Sequence, residues 1–423
     1  MVFLLLTLCL SKVSDSDPLI TQEMVDKINS DPKSTYKAKL YPKFAKMKIS
    51  DAKRFLSPVR PSPKKSGSAH PVGTNENYFH GIDTQVISGL TERKMRDWGI
   101  WEDDNVHHAL GTGTYKVPIY DVGMLCSSWA PAVTSAISYS VSRWAGTFVN
   151  FSLQFVLDCD LLGDPCVERP SLAAYSIFWS SKGRVPQYSR WDKAELGGRE
   201  RTSPLQAPRS TLTNAICQSP SGCYPGLKSC SRSWALSGSC SPGESSSSCP
   251  VYFLYNWRWM KSHLFEVGAI TSSILVRSSL FTYSDGVYST KGDTADVLGM
   301  LDVTIIGWGQ TQVNLSTNAS AYSKDKERWW WVIPHFGCDF GLPISSISKD
   351  NSTDLIGIGS YLEPTGSNCD GMSEPKGIMK FNRRFDDSLI ESQAVGAVPY
   401  NFVPLPIRTP EQTVIPATPK QTA

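Results

Sequence analysis

The chain has 423 residues, with 42 Lys and Arg against 39 Asp and Glu, a net charge of +3. At about 150 residues per domain this is roughly two to three domains of material, and the near balance of charge argues against a dedicated basic surface for nucleic acid. Hydrophobic residues at 40% and aromatics at 11% exclude a disordered chain.

The first segment, Met1-Val-Phe-Leu-Leu-Leu-Thr-Leu-Cys-Leu10, is an apolar run followed at once by Ser11 and Lys12. It is too short to cross about 30 Å of hydrocarbon as a helix, and reads as a signal peptide over residues 1–14, cut between Ser11 and Ser14. The alternative is a buried N-terminal strand. No later stretch reaches 18 apolar residues, so no membrane span is expected and the protein is expected outside the cell or in a lysosome-like compartment. In that setting eleven cysteines, an odd number, raise the question of an unpaired thiol. Four Asn-x-Ser/Thr sequons, at Asn150, Asn314, Asn318 and Asn351, are glycosylation candidates. Two of them share the polar stretch 310–328, which reads as an exposed loop.

Between residues 15 and 57, Ile20, Met24, Val25 and Ile28 are spaced for one apolar helical face. Residues 58–90, rich at their start in Pro, Ser and Lys, read as a linker. His107-His108 precedes the body's motifs and reads as a solvated pair, with no metal site expected. A body follows over 91–390. In it, helices are predicted over Trp129–Trp144, Leu172–Gly183 and Asn256–Val267, then strands over Ala269–Val276, Val303–Trp308 and Trp329–Ile333. Helices first and strands later predict an α+β fold of two unlike halves. Ser, Gly, Pro and Cys dominate 192–248, where Cys217, Cys223, Cys230 and Cys240, with Cys249 just beyond, are expected to staple the chain. The Pro- and Thr-containing tail, 391–423, is expected to be loose from about Val395. Trp329-Trp-Trp331 reads as core packing rather than a ligand platform.

Four segments carry a resemblance. Cys126-Ser-Ser-Trp129-Ala at a helix start resembles the Cys-Gly-Ser-Cys-Trp-Ala segment of papain-family cysteine peptidases. Phe281-Thr-Tyr283-Ser-Asp-Gly286-Val-Tyr288 resembles that family's Phe-x-x-Tyr-x-x-Gly-Val/Ile-Tyr, one residue shorter. Asp302-Val-Thr-Ile-Ile-Gly307-Trp-Gly309 resembles its Ala-x-x-Ile-x-Gly-Trp/Tyr-Gly strand, and Trp329 to Gly341 its Tyr-Trp-x-x-x-Asn-Ser-Trp-Gly-x-x-Trp-Gly. The subfamily it is most similar to is cathepsin B. Leu19 to Asn29, Thr35-Tyr-Lys-Ala38 and Ala52-Lys-Arg-Phe-Leu56 resemble the short cathepsin B propeptide, Phe178 to Val185 resembles Phe-Trp-Thr-Arg-Lys-Gly-Leu-Val, and Ile119-Tyr-Asp121 resembles Ile-Arg-Asp. The resemblance implies a papain-like two-lobed fold: a helical left lobe, a β-barrel-like right lobe, and a cleft crossed by the propeptide. The cathepsin B occluding-loop histidines have no counterpart between Gly183 and Cys249.

The same resemblance implies where the chemistry should be. A papain-type site needs a thiolate stabilised by a histidine and a helix N-terminus, an asparagine to hold that histidine, and a glutamine at the oxyanion hole. Here the nucleophile position is Ser128, the base Leu301, the orienting residue Pro334 and the oxyanion residue Val122. A helix dipole worth about 1 kcal/mol does not ionise a hydroxyl, leucine accepts no proton, and one missing oxyanion donor costs about 10² to 10³ in rate. The substrate-wall Cys-x-Gly-Gly reads Cys166-Val-Glu168-Arg169. The expectation is an inactive pseudopeptidase, monomeric and without cofactor, that binds peptides or proteins in or near the cleft and carries its own propeptide. The alternatives are an active peptidase with a rewired site (Cys126 as nucleophile, or His335 as base), a gene sequence carrying errors at these codons, and an extracellular structural role. Losing Cys9 with the signal leaves ten cysteines, an even set; the resemblance implies Cys126 with Cys166, and Cys159 with a partner between Cys217 and Cys249.

Overall fold

The computed structural model describes residues 14–59, 117–122, 127–145, 149–158, 251–310, 328–346 and 372–399, apart from positions 255–256, 292, 294, 345 and 384–386, together with residue 175 and the pieces 184–185, 224–225 and 364–365. Outside these lie the signal segment, the linker, nearly all of 172–183 and 192–248, His107-His108, three of the sequons and every cysteine except Cys338.

The N-terminal segment folds as α1 (Gln22–Ser30), β1 (Tyr36–Ala38), α2 (Pro42–Ala45) and α3 (Ile49–Ala52). Helix α1 begins where the Thr21 side chain accepts from the Met24 amide at 3.2 Å, satisfying one of the free first-turn donors. Its expected apolar face is real: Val25 is buried, and Met24 and Ile28 pack against the core. Pro42 opens α2, where a missing amide hydrogen costs nothing.

The body begins with β2 (Val117–Pro118), then α4 (Trp129–Ala145) and α5 (Leu153–Asp158). Helix α4 is buried all along Trp129 to Ser142, so it reads apolar or small on every face rather than on one. Its hydroxyls are absorbed locally: Ser140 donates to the Ala136 carbonyl at 2.7 Å and Ser142 to that of Ser138 at 2.6 Å. Two short pairs, β3 (Arg184–Val185) with β4 (Tyr224–Pro225) and β2 with the later β11, form separate two-stranded sheets. The remaining elements are β5 (Val251–Phe253), α6 (Trp257–Glu266), β6 (Ile270–Val276), β7 (Tyr283–Tyr288), β8 (Gly299–Gln310), β9 (Arg328–Ile333), β10 (Leu342–Pro343), β11 (Pro364–Thr365), β12 (Lys376–Asn382) and β13 (Val395–Ala397).

These make a sheet in the order β1-β7-β12-β9-β8-β6-β13-β5, with β10 also on β12. Strand β1, from the N-terminal segment, therefore sits on the edge of the body's sheet. It pairs antiparallel to β7, with Tyr36 opposite Gly286. Gly286 has a φ of 83°, and a Cβ there would lie 2.5 Å from the Thr35 carbonyl oxygen, so only glycine admits this approach. Gly309 serves a different need: a Cβ would meet the Trp329 ring at 2.6 Å. All three of Trp329, Trp330 and Trp331 are buried, as core packing requires.

One expectation is corrected. The tail is not loose from Val395: β13 is an interior strand, bonded to β6 on one side and β5 on the other. Val395-Gly-Ala397 is small and apolar, and Gly396 lets the strand lie against His263 of α6, whose ring a Cβ would meet at 2.8 Å. The Pro and Thr residues further along outweigh these three in the tail's average composition.

Candidate functional site

Ser128 is the residue before α4, and its carbonyl accepts the Ala132 amide at 3.3 Å. A capping hydroxyl ordinarily takes the second or third amide of its helix, but the third residue here is Pro131, which has none. The Ser128 Oγ instead accepts the main-chain amide of Asp302 across the interior, at 2.9 Å. Asp302 follows Leu301 on β8. Successive strand residues point to opposite faces, so Leu301, opposite Ile274, and Asp302, opposite Ser273, project on different sides of the sheet. Ser273 donates from its hydroxyl to Asp302 Oδ1 in a short contact. Ser128, Leu301 and Asp302 are all fully buried.

The other two positions meet through main chain. After β9 the chain passes Pro334 and turns at His335, which holds a left-handed φ of 58°. The His335 carbonyl accepts the Val122 amide at 2.8 Å, Asp121 bridges to Phe336, and the Gly337 amide donates to the Tyr120 carbonyl at 3.0 Å. Val122 and Pro334 are also buried. The structure thus joins Ser128 to the residue after Leu301, and Val122 to the residue after Pro334.

His335 is the residue a substitute base would come from. Its ring is fully buried, and burial pulls its pKa from the usual 6.5 down to about 3. Its partners fix the tautomer. The Thr304 hydroxyl gives its one proton to the Ala132 carbonyl at 2.9 Å, so it accepts from His335 Nε2–H at 3.0 Å. His335 Nδ1 then accepts the Tyr120 amide at 3.4 Å. Both ring nitrogens are engaged in holding the Tyr120 and α4 backbones together, which leaves no lone pair aimed at Ser128.

Sequence reasoning singles out His335 but misses Thr304, Asp302 and Ser273. The signal is present in Asp302, the one charged residue of a mostly apolar strand, which demands a hydrogen-bonded setting when buried. Cys338 has no place in the expected pairings, yet it is disulfide-bonded. Asn150 is half-buried, and the serine of its sequon, Ser152, is fully buried and caps α5 through the Phe155 amide at 3.1 Å. Among the described residues no group of three or more His, Cys, Asp or Glu is placed to hold a metal, and no helix is long and apolar enough to cross a membrane.

No curated protein matches the chain. Among solved structures it is similar to the procathepsin B S9 from Trypanosoma congolense, at 16% identity and a TM-score of 0.48 over 90% of this chain and 99% of that one. It is also similar to the proform of Amb a 11, a ragweed pollen cysteine protease, at 14% identity and 0.47 over 89% and 85%. Procathepsin L 3 of the Tenebrio molitor larval midgut stands at 14% identity and 0.46 over 90% of each chain. The family model of the papain family cysteine proteases matches residues 112–341. That stretch is more than half of the sequence and contains α4, β8 and β9 with the residues between which Ser128, Asp302 and His335 are bonded, and the chain belongs to the papain family of cysteine proteases.

Proposed function

We propose that this is a cathepsin B-like papain-family protein that does not hydrolyse peptides and acts by binding, in the secretory pathway or beyond it. One observation carries the reading: at the nucleophile position, the buried Ser128 hydroxyl is bonded to the Asp302 amide, and the nearest histidine in the family pattern is committed to Thr304 and Tyr120. A serine attacks a carbonyl only when a base takes its proton. Leu301 supplies none, and His335, held neutral by burial with both nitrogens engaged, supplies none either. Residues 15–57 are its propeptide, and peptides or proteins are its ligands.

The test is turnover. The purified protein is offered fluorogenic dipeptides and an unfolded protein substrate, before and after acid treatment, alongside a Ser128→Ala variant. No turnover is expected from either form. Hydrolysis by the natural sequence that Ser128→Ala abolishes overturns the reading, as does covalent capture of any cysteine by an epoxide peptidase inhibitor.

A further inference from the structure

We infer that residues 33–54 present a cationic surface that binds a linear sulfated polysaccharide. The inference goes beyond the reading above and stands whether or not Ser128 is inert.

The near balance of charge in the whole chain conceals a local excess. Residues 33–54 hold eight Lys and Arg and a single acid, Asp51, in a chain whose total is only +3. The rest of the chain is therefore net negative, and a charge asymmetry of this kind marks a surface for anions. The fold sorts these residues by side. Tyr36, Tyr41, Phe44, Ile49 and Phe55 are buried, whereas Lys33, Lys37, Lys39, Lys46 and Lys48 are exposed. Along β1 the pattern is buried, exposed, buried, with Lys37 outward between Tyr36 and Ala38.

Three of the eight cations have counter-ions. Lys43 meets Asp121 at 3.0 Å and Asp339 at 3.6 Å, Lys53 meets Asp15 at 2.5 Å, and Arg54 meets Asp51 at 3.6 Å. The other five, Lys33, Lys37, Lys39, Lys46 and Lys48, form no ion pair among the described residues. The acids that adjoin them are engaged by main chain. Asp31 accepts the Lys33 amide and Asp51 the Lys48 amide, both at 2.9 Å. Asp285, opposite Lys37 in the strand register, accepts the Gly286 amide at 2.6 Å. The Lys39 ammonium lies 5.4 Å from the Tyr41 ring and that of Lys43 4.8 Å from Phe44, two rings 6.1 Å apart, so the string of cations continues from β1 into α2.

The ligand class follows from what this surface lacks. Its aromatic rings are buried, so it offers no stacking platform for unpaired bases. Among the described residues the exposed large apolar side chains are Val59 and Met372, both outside this stretch, so nothing here inserts into a lipid surface. Free ammonium groups strung along an edge strand and two short helices suit a chain of repeated anions better than one small anion. In the secretory pathway proposed above, that chain is a sulfated polysaccharide.

The experiment passes the full chain over immobilised heparin at low ionic strength and elutes it with salt. Retention is expected. Each cation close to an anionic surface contributes about fivefold in affinity, so Lys39→Gln with Lys46→Gln is expected to bind about 25-fold more weakly. The control pair, Lys291→Gln with Lys376→Gln, loses the same charge elsewhere and is expected to bind as the natural sequence does. Equal weakening by both pairs overturns the inference, as does competition by desulfated heparin as strong as by heparin itself. Capture by phosphatidylserine vesicles with no retention on heparin also overturns it. Near-ultraviolet circular dichroism checks the fold of each variant, and the single variants, each expected to bind about fivefold more weakly, decide the matter if the pair does not fold.

Discussion

Ser128 Oγ and the amide of Asp302 are joined by a 2.9 Å hydrogen bond between residues 174 positions apart. The hydroxyl that the family pattern would have as a nucleophile is thereby an acceptor stitching the start of α4 to β8. The bond satisfies a buried donor in the strand, at a helix start whose third residue, Pro131, has no amide to offer a cap.

Substituting Ser128 by Ala removes that acceptor and leaves the Asp302 amide buried beside a methyl group. An orphaned buried donor costs about 1 to 3 kcal/mol. Ser128→Ala is expected to be destabilised by that amount in chemical denaturation with an unchanged denaturant slope, and to behave as the natural sequence toward peptide substrates.

His335 makes stability fall in acid. Its folded pKa, about 3, lies below the unfolded 6.5, so the unfolded state binds the extra proton and stability rises with pH until about 6.5. Each unit of pH is worth about 1.4 kcal/mol in this window, so going from pH 6.5 to pH 5 costs about 2 kcal/mol through this residue. Asparagine tolerates the left-handed φ at this position. The gap in stability between the natural sequence and His335→Asn is therefore expected to shrink by about 2 kcal/mol over the same interval. A gap independent of pH would show that the imidazole is not held neutral.

The tyrosines of the N-terminal segment act at the other end of the scale. Burial pushes Tyr36 and Tyr41 up to about 12 from the usual 10. A raised pKa means that the neutral form is favoured on folding, so this contribution is complete below pH 10 and is lost between 10 and 12. Melting temperature is expected to drop in that alkaline window, and the drop is expected to be smaller in Tyr36→Phe and Tyr41→Phe.

Gly286 controls how closely β1 approaches β7. Its φ of 83° and the Thr35 carbonyl 2.5 Å from a built Cβ leave no room for a side chain. Gly286→Ala is expected to cost about 1 to 3 kcal/mol, and to raise amide exchange at Val287, whose N–H is bonded to that carbonyl. Equal exchange in both proteins would place the strain elsewhere.

Much of this molecule is legible in its sequence because periodicity and motif spacing are local properties. The helix over Trp129–Ala145, the strands β6, β8 and β9, the apolar face of α1 and the burial of the Trp triplet all follow from residues that are neighbours in the chain. So does the proposed exchange of four residues at the family's catalytic positions, which rests on a count along the motifs. Strand β13 is not legible, because three small residues carry too little pattern and are a strand only through β5 and β6 on either side of them.

What the sequence by itself supplied is the motif count on which the proposed loss of hydrolysis rests: it sets serine at the nucleophile position, with leucine, proline and valine around it. Only the tertiary structure decided what those places do instead. Hydrogen bonds between residues far apart in the chain turn Ser128 into a backbone acceptor and His335 into a neutral link between Thr304 and Tyr120. They also lay Ser57 along Met300. A donor's partner is set by where burial leaves an unsatisfied group, and that is a property of the packed core, not of spacing along the chain.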